Sequence, residues 1–189
     1  MVSVPFSNSG ANKNNNFKKD LNGENSGLVP PQNIQAEESV LGGILLDPDA
    51  IGRIADIIKP EAFYIGAHKE IFRTALMLHS QGKPTDLTSM SAWLADNGSL
   101  EKIGGNNKLV ELVENVSSTA SIEQVATLIS DKFLRRQLIR SGNEVVQLGF
   151  DQSQPTEEIL DKAEQKIFEI SQEKPDGHQR PHDGIDSLW

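Results

Sequence analysis

An all-α protein, a compact helical head followed by a long helical hairpin, is expected from three features of this 189-residue chain. Apolar residues recur at three- and four-residue steps between about Ile34 and Ile170. Helix punctuation is dense over the first two thirds of that span and then sparse, with no proline between Ser121 and Gly149. Composition changes sharply at both ends, which confines the folded part to the middle.

The opening "MVSVPFSNSGANKNNNFKKDLNGENSG" is rich in Asn, Ser and Gly and has no apolar period, so residues 1–28 are expected to form a disordered leader. Residues 29–118 form the expected head. Its first helix spans roughly Ile34 to Leu46, with Ala36, Val40, Leu41, Ile44 and Leu45 on one face. Asp47 and Pro48 read as the N-cap and first position of a second helix with Ile51, Ile54, Ala55 and Ile58 inward, which Pro60 stops. A third helix, about Ala67 to Gln81, turns Ile71, Phe72, Ala75 and Leu78 inward, with Gly82 just past its end. Asp86 is the expected cap of a fourth through Leu87, Met90 and Leu94, ending at Asn97-Gly98. A short fifth carries Leu109, Leu112, Val113 and Val116. Helices this short do not stand alone in water, so they must bury their faces on one another.

Residues 119–173 form the expected hairpin. From Ser121 to about Gly149 the pattern is nearly continuous, on the order of 40 Å of helix at 1.5 Å per residue. After "DQSQP", Thr156 caps a return helix with Glu157 and Glu158 in its first turn. Residues 174–189, with Pro, Gly and charge, read as a linker or tail.

A net charge of -9 argues against a surface built to coat nucleic acid, and points to protein partners. With no cysteine, disulfides and thiolate metal sites are excluded. No apolar run approaches the roughly 20 residues that span a bilayer, and the expected location is cytoplasmic. The phosphate-cradling pattern GxxxxGK[ST] does not occur, since Gly82-Lys83 is followed by Pro84. His68 and His79, eleven positions apart, would lie some 16 Å apart along one helix, too far to share a metal. Glu37-Glu38 and Glu157-Glu158 fall in first helical turns, where the helix dipole accounts for them without acid/base chemistry. Trp93 is expected in the core, not as a base-stacking platform. No catalytic residue, cofactor site or metal site is assigned. Two surface features remain. Leu160, Ala163, Ile167 and Ile170 form a candidate subunit interface on the return helix. Lys132, Arg135, Arg136 and Arg140 form a basic stripe, a weak candidate for nucleic-acid contact against the commoner reading of a solvated or salt-bridged face.

Gly42 and Gly43 lie inside the first helix, where each costs about 1 kcal/mol against Ala. Close approach of another backbone would offset that cost. The stretch around them, "PPQNIQAEESVLGGILLD", resembles the beginning of bacterial and plastid replicative DNA helicases of the DnaB family. The resemblance continues through "FYIGAHKEIFRTALMLHSQGKPTDLTSMSAWLADNGSLEKIGG", with the family's Phe-Tyr, His-x-x-Ile-Phe, Gly-x-Pro-x-Asp and Gly-Gly landmarks in order, and covers roughly residues 30 to 173.

The resemblance implies a collar domain that helps arrange six subunits and offers a docking surface to primase and, in some relatives, to loader proteins. It implies a location in the cytoplasm, or in the plastid stroma for a plastid-encoded chain. It also implies that ATP, Mg, helicase activity and the main DNA contacts belong to a RecA-like motor not found in these residues. A free-standing regulator of helicase or primase that reuses the collar fold is the alternative.

Overall fold

The computed structural model describes residues 29–116 and 121–172; the expected leader, the 118/119 boundary and the tail lie outside these. Among the described residues there are seven α-helices and no strand: α1 (Ile34–Leu46), α2 (Ala50–Ile54), α3 (Gly66–Ser80), α4 (Leu87–Asp96), α5 (Gly105–Glu114), α6 (Ile122–Phe150) and α7 (Thr156–Gln172). Short 3-10 turns at Pro60–Ala62 and Glu101–Ile103 complete the head. Helices α1 to α5 and the start of α6 share one core, and α6 and α7 pair as the hairpin.

Helix α1 is the hub of the head. Asn33 caps it by accepting from the Ala36 N–H at 3.1 Å. Val40, Leu41, Ile44 and Leu45 are buried among α3, α5 and α6, as their spacing predicts. The end of α1 carries a chemical gap that the fold repairs. Ile44's carbonyl would ordinarily accept from residue 48, but that residue is Pro48 and has no N–H. The buried Thr85 hydroxyl donates to it instead at 3.1 Å, tying the loop before α4 to α1.

Asp47 ends α1 and does not itself cap α2. Its carboxylate accepts from the Asp49 N–H, and α2 starts at Ala50, two residues later than expected, and stops at Ile54. Asp86 caps α4 as the sequence predicts, accepting from the Thr88 and Ser89 N–H groups at 2.9 and 3.0 Å. Gly104 and Gly105 have φ of +99° and +72°, so the pair forms the turn that starts α5.

The diglycine of α1 marks a close helix crossing. A Cβ added to Gly42 would lie 3.0 Å from the Leu112 carbonyl carbon, and nearer still to its oxygen and to Val116 Cγ2. One at Gly43 would meet the Ile122 side chain, its Cδ1 methyl at 3.2 Å. Gly42 therefore admits the α5 backbone itself, and Gly43 admits the start of α6. Packing lost by any separation of these elements outweighs the helix propensity that two alanines would add.

Candidate interaction surface

Helix α6 has two halves with different surroundings. Val125, Ala126 and Ile129 are buried in the head and Phe133 packs beside them. Beyond Arg136 neither α6 nor α7 contributes a buried residue. The hairpin thus projects as an arm of two helices with little core of its own, although α6 alone is 29 residues, about 44 Å.

The four candidate interface residues divide between two faces of α7. Ala163 and Ile170 are half-covered together with Ile159 and Lys166, and the Lys166 ammonium bonds Glu144 of α6. That face lies on α6. Leu160 and Ile167 turn outward and are 57% and 47% exposed, next to Phe168 at 61%. On α6, Leu138, Ile139 and Phe150 are also half exposed. The signal for Phe168 was present, since Ile167 and Phe168 stand seven and eight positions on from Leu160 and share its outward face, but the sequence reading followed the row through Ala163 and Ile170. Ion pairs fasten the arm's polar edge, where the Lys166 hydrogen bond is the largest cause holding the Glu144 carboxyl below its ordinary pKa.

The basic stripe is dispersed. Arg135 pairs with Asp131 at 2.9 Å and Arg140 with Glu144 at 3.2 Å, both across one helical turn and both exposed. Lys132 is half-buried on the same helix. Arg136 turns into the head: its two terminal nitrogens donate to the Pro31 carbonyl at 2.7 Å and the Ala62 carbonyl at 2.5 Å. Burial pushes its pKa down and the nearby Glu37 carboxylate counters this, but a guanidinium stays charged regardless. Arg136 thus bonds toward the head, apart from the exposed Arg135 and Arg140.

Glu37 is the other residue whose role differs from its sequence reading. It is buried, and its carboxylate accepts from the Tyr64 N–H at 2.6 Å, from the Ile65 N–H at 3.3 Å and from His68 Nδ1 at 2.9 Å. A buried carboxylate persists only when its oxygens are paired in this way. Glu37 therefore joins α1 to the start of α3, while its neighbour Glu38 pairs with Lys108 of α5 at 3.0 Å, partly buried. The signal was present: Glu37 precedes Val40 by three and Leu41 by four, on the inward face. Trp93 lies partly buried against the core, with the Lys83 ammonium 5.3 Å from its ring centre.

A compact helical head with a projecting two-helix arm that exposes apolar side chains defines an all-α domain. The model of the DnaB-like helicase N terminal domain matches residues 29–131. The chain belongs to that family.

It is 54% identical over 153 residues to the replicative DNA helicase DnaB of Nostoc sp. strain PCC 7120, aligned over 81% of this chain and 17% of that protein. Against the Geobacillus stearothermophilus DnaB it is 40% identical over 79% of this chain and 33% of that one. The chain thus spans between about a sixth and a third of these relatives. The crystal structure of the N-terminal domain of DnaB helicase from Mycobacterium tuberculosis superposes with a TM-score of 0.70 at 35% identity, covering 75% of this chain and 99% of that one. A DnaB-like replicative helicase, solved in a study of its interactions with primase, superposes at 0.61 and 29% identity over 73% of this chain and 31% of that one.

The family landmarks now have physical meanings. Glu37 and His68 bond each other across the Ala-Glu and His-x-x-Ile-Phe motifs, and Gly42 sits at the helix crossing. In the Gly-x-Pro-x-Asp motif, Thr85 completes α1 and Asp86 starts α4. These residues build the head.

Proposed function

We propose that this chain acts as the N-terminal collar of a hexameric replicative DNA helicase, associating through its hairpin arm and presenting a docking surface to primase and to a helicase loader. The exposed apolar set on the arm, Leu160, Ile167 and Phe168 on α7 with Leu138, Ile139 and Phe150 on α6, is the observation that carries the reading. Apolar side chains displayed together on a projecting element mark a contact. The arm cannot satisfy them internally, because two packed helices cover only their facing sides. A second copy of the same arm offers a matching surface, as in closed symmetric assemblies. The primase role rests on kinship with the helicase solved in relation to primase. ATP, Mg and the main DNA contacts belong, on this reading, to a motor domain outside the matched region. No helix among the described residues is long and apolar enough to cross a membrane, and the working location is the cytoplasm or, for a plastid-encoded chain, the stroma.

Sedimentation equilibrium of the chain and of Ile167→Asp tests this. The chain is expected to self-associate in the micromolar range, and Ile167→Asp to shift it toward monomer while head melting is preserved. A wild-type chain that stays monomeric at high micromolar concentration overturns the arm as a subunit interface.

A further inference from the structure

Where the arm leaves the head, Arg136 bonds back to it. The buried contacts of α6 end at Ile129 and its packing at Phe133; from Gln137 onward the helix has no buried residue. Arg136 occupies the turn between. Its two donors reach carbonyls on separate segments of the head, Pro31 before α1 and Ala62 in the 3-10 turn before α3. Its guanidinium carbon lies 5.6 Å from the Tyr64 ring centre and 5.8 Å from that of Phe133, so aromatic rings from both head and arm border it. The segment bearing Ala62 and Tyr64 is in turn held by Glu37 through the Tyr64 and Ile65 N–H groups.

A planar guanidinium bonded through two nitrogens to two acceptors constrains direction as well as position, which a single point charge does not. An ion pair of Arg53 with Glu123 at 2.9 Å also ties α6 to the head, but it lies at the opposite end of the buried section of α6 and is half exposed, so it contributes little. Direction matters because α6 is continuous. From Arg136 to Phe150 the helix runs about 21 Å, so a swing of about 10° at the joint moves the tip by about 4 Å. That is close to the width of a side-chain contact.

We propose that Arg136 is a positioning residue that fixes the angle between arm and head, and with it the direction in which the exposed residues of the arm are presented. The two carbonyls are the stops, and the guanidinium is the latch. The consequence for assembly rests on the interface reading above; the latch itself does not.

The absence of cysteine from the chain makes a direct test available. Spin labels at Gln81→Cys in the head and Gln152→Cys at the arm's tip, both exposed positions, report their separation by pulsed electron resonance, with labelled chain diluted in unlabelled chain to suppress distances between copies. A second pair, Gln81→Cys with Lys102→Cys, serves as a control within the head. Arg136→Lys keeps the charge beside Glu37 but lacks the planar fork, and Arg136→Met lacks both. In Arg136→Lys the head-to-tip distribution is expected to widen about twofold while the control pair and the melting curve stay close to wild type. Arg136→Met is expected to widen it as much and also to lower the melting temperature. An unchanged head-to-tip width in Arg136→Lys overturns the proposal, as does widening that the control pair shares equally. Failure of Arg136→Met to fold leaves the Arg136→Lys comparison decisive. A wild-type chain found monomeric would remove the interface reading but leave the distances to judge the latch.

Discussion

Adding one methyl group at Gly42 and one at Gly43 should give sharply different results, although the residues are adjacent in the same helix. By helix propensity alone each Gly→Ala change gains about 1 kcal/mol. At Gly43 the new Cβ meets one methyl at 3.2 Å, the far end of the flexible Ile122 side chain, which can rotate away. Gly43→Ala is therefore expected within about 1 kcal/mol of wild type. At Gly42 the obstacle is the backbone of α5, with the Leu112 carbonyl carbon at 3.0 Å and its oxygen closer. A helix carbonyl cannot rotate away without breaking its own bond, so α1 and α5 must separate. Leu109 and Leu112 are fully buried beside that crossing. Overpacking of this kind costs about 1–3 kcal/mol or more, and a gap of 0.5–1 Å forfeits about a quarter to a half of each dispersion contact along the seam. The upper part of that range wins over the propensity gain, for a net loss of about 2 kcal/mol. At roughly 4–8 °C per kcal/mol for a domain of this size, Gly42→Ala should melt about 8–16 °C below wild type. Circular dichroism melts of both variants are the assay. Gly42→Ala melting at or above wild type, or Gly43→Ala falling further than Gly42→Ala, would refute the close-crossing argument.

Other perturbations probe different links. Glu37→Ala leaves the part-buried Tyr64 and Ile65 N–H groups and the buried His68 Nδ1 without their acceptor, and at about 1–3 kcal/mol for a buried unpaired group a loss of about 2–3 kcal/mol is expected in urea unfolding. Asp86→Ala removes the α4 cap at a cost of about 1 kcal/mol. Hydrogen bonding, chiefly from the Ser89 N–H, lowers the Asp86 pKa below its ordinary 3.8; its contribution is therefore present above that value and disappears as pH falls through the lowered folded pKa, so melts of Asp86→Ala and wild type should converge in acid. Gly142→Ala places a Cβ where nothing lies within 4 Å and should raise arm stability by about 1 kcal/mol in a hydrogen-exchange measurement; a loss there would show that the open face is occupied in the assembled protein.

The head was legible in the sequence because its signals are local. Periodic apolar residues named the core of α1, Asp86 announced a cap that the structure contains, and Gly42-Gly43 announced a close approach. What misled was chemistry shared between distant segments. Asp47-Pro48 looked like a helix start by local rules, yet the missing Pro48 N–H is answered by Thr85, which nothing near Pro48 could foretell. Glu37 looked like a dipole-complementing carboxylate because its partners lie 27 to 31 residues away.

The same distinction bears on the arm. Periodicity on α7 located an apolar stripe but could not say how much of it α6 would cover, since coverage depends on the rotation of one helix against another. The structure divides the stripe into Ala163 and Ile170 against α6 and Leu160 and Ile167 outside. Arg136 shows the reverse case, for a basic residue spaced like its neighbours on the helix turns out to bond two carbonyls more than 70 residues away in sequence. Spacing on a helix places a side chain on a face. Only the partner across that face decides whether a hydrophobe is core or interface, and whether a cation meets solvent or anchors the arm. The head's partners lie within the chain, so its residues acquire definite roles there. The head exposes apolar side chains too, Leu46, Met77 and Val110 among them, but over a shared core, whereas the arm from Gln137 onward has no buried residue, and that asymmetry is why association is sought on the arm.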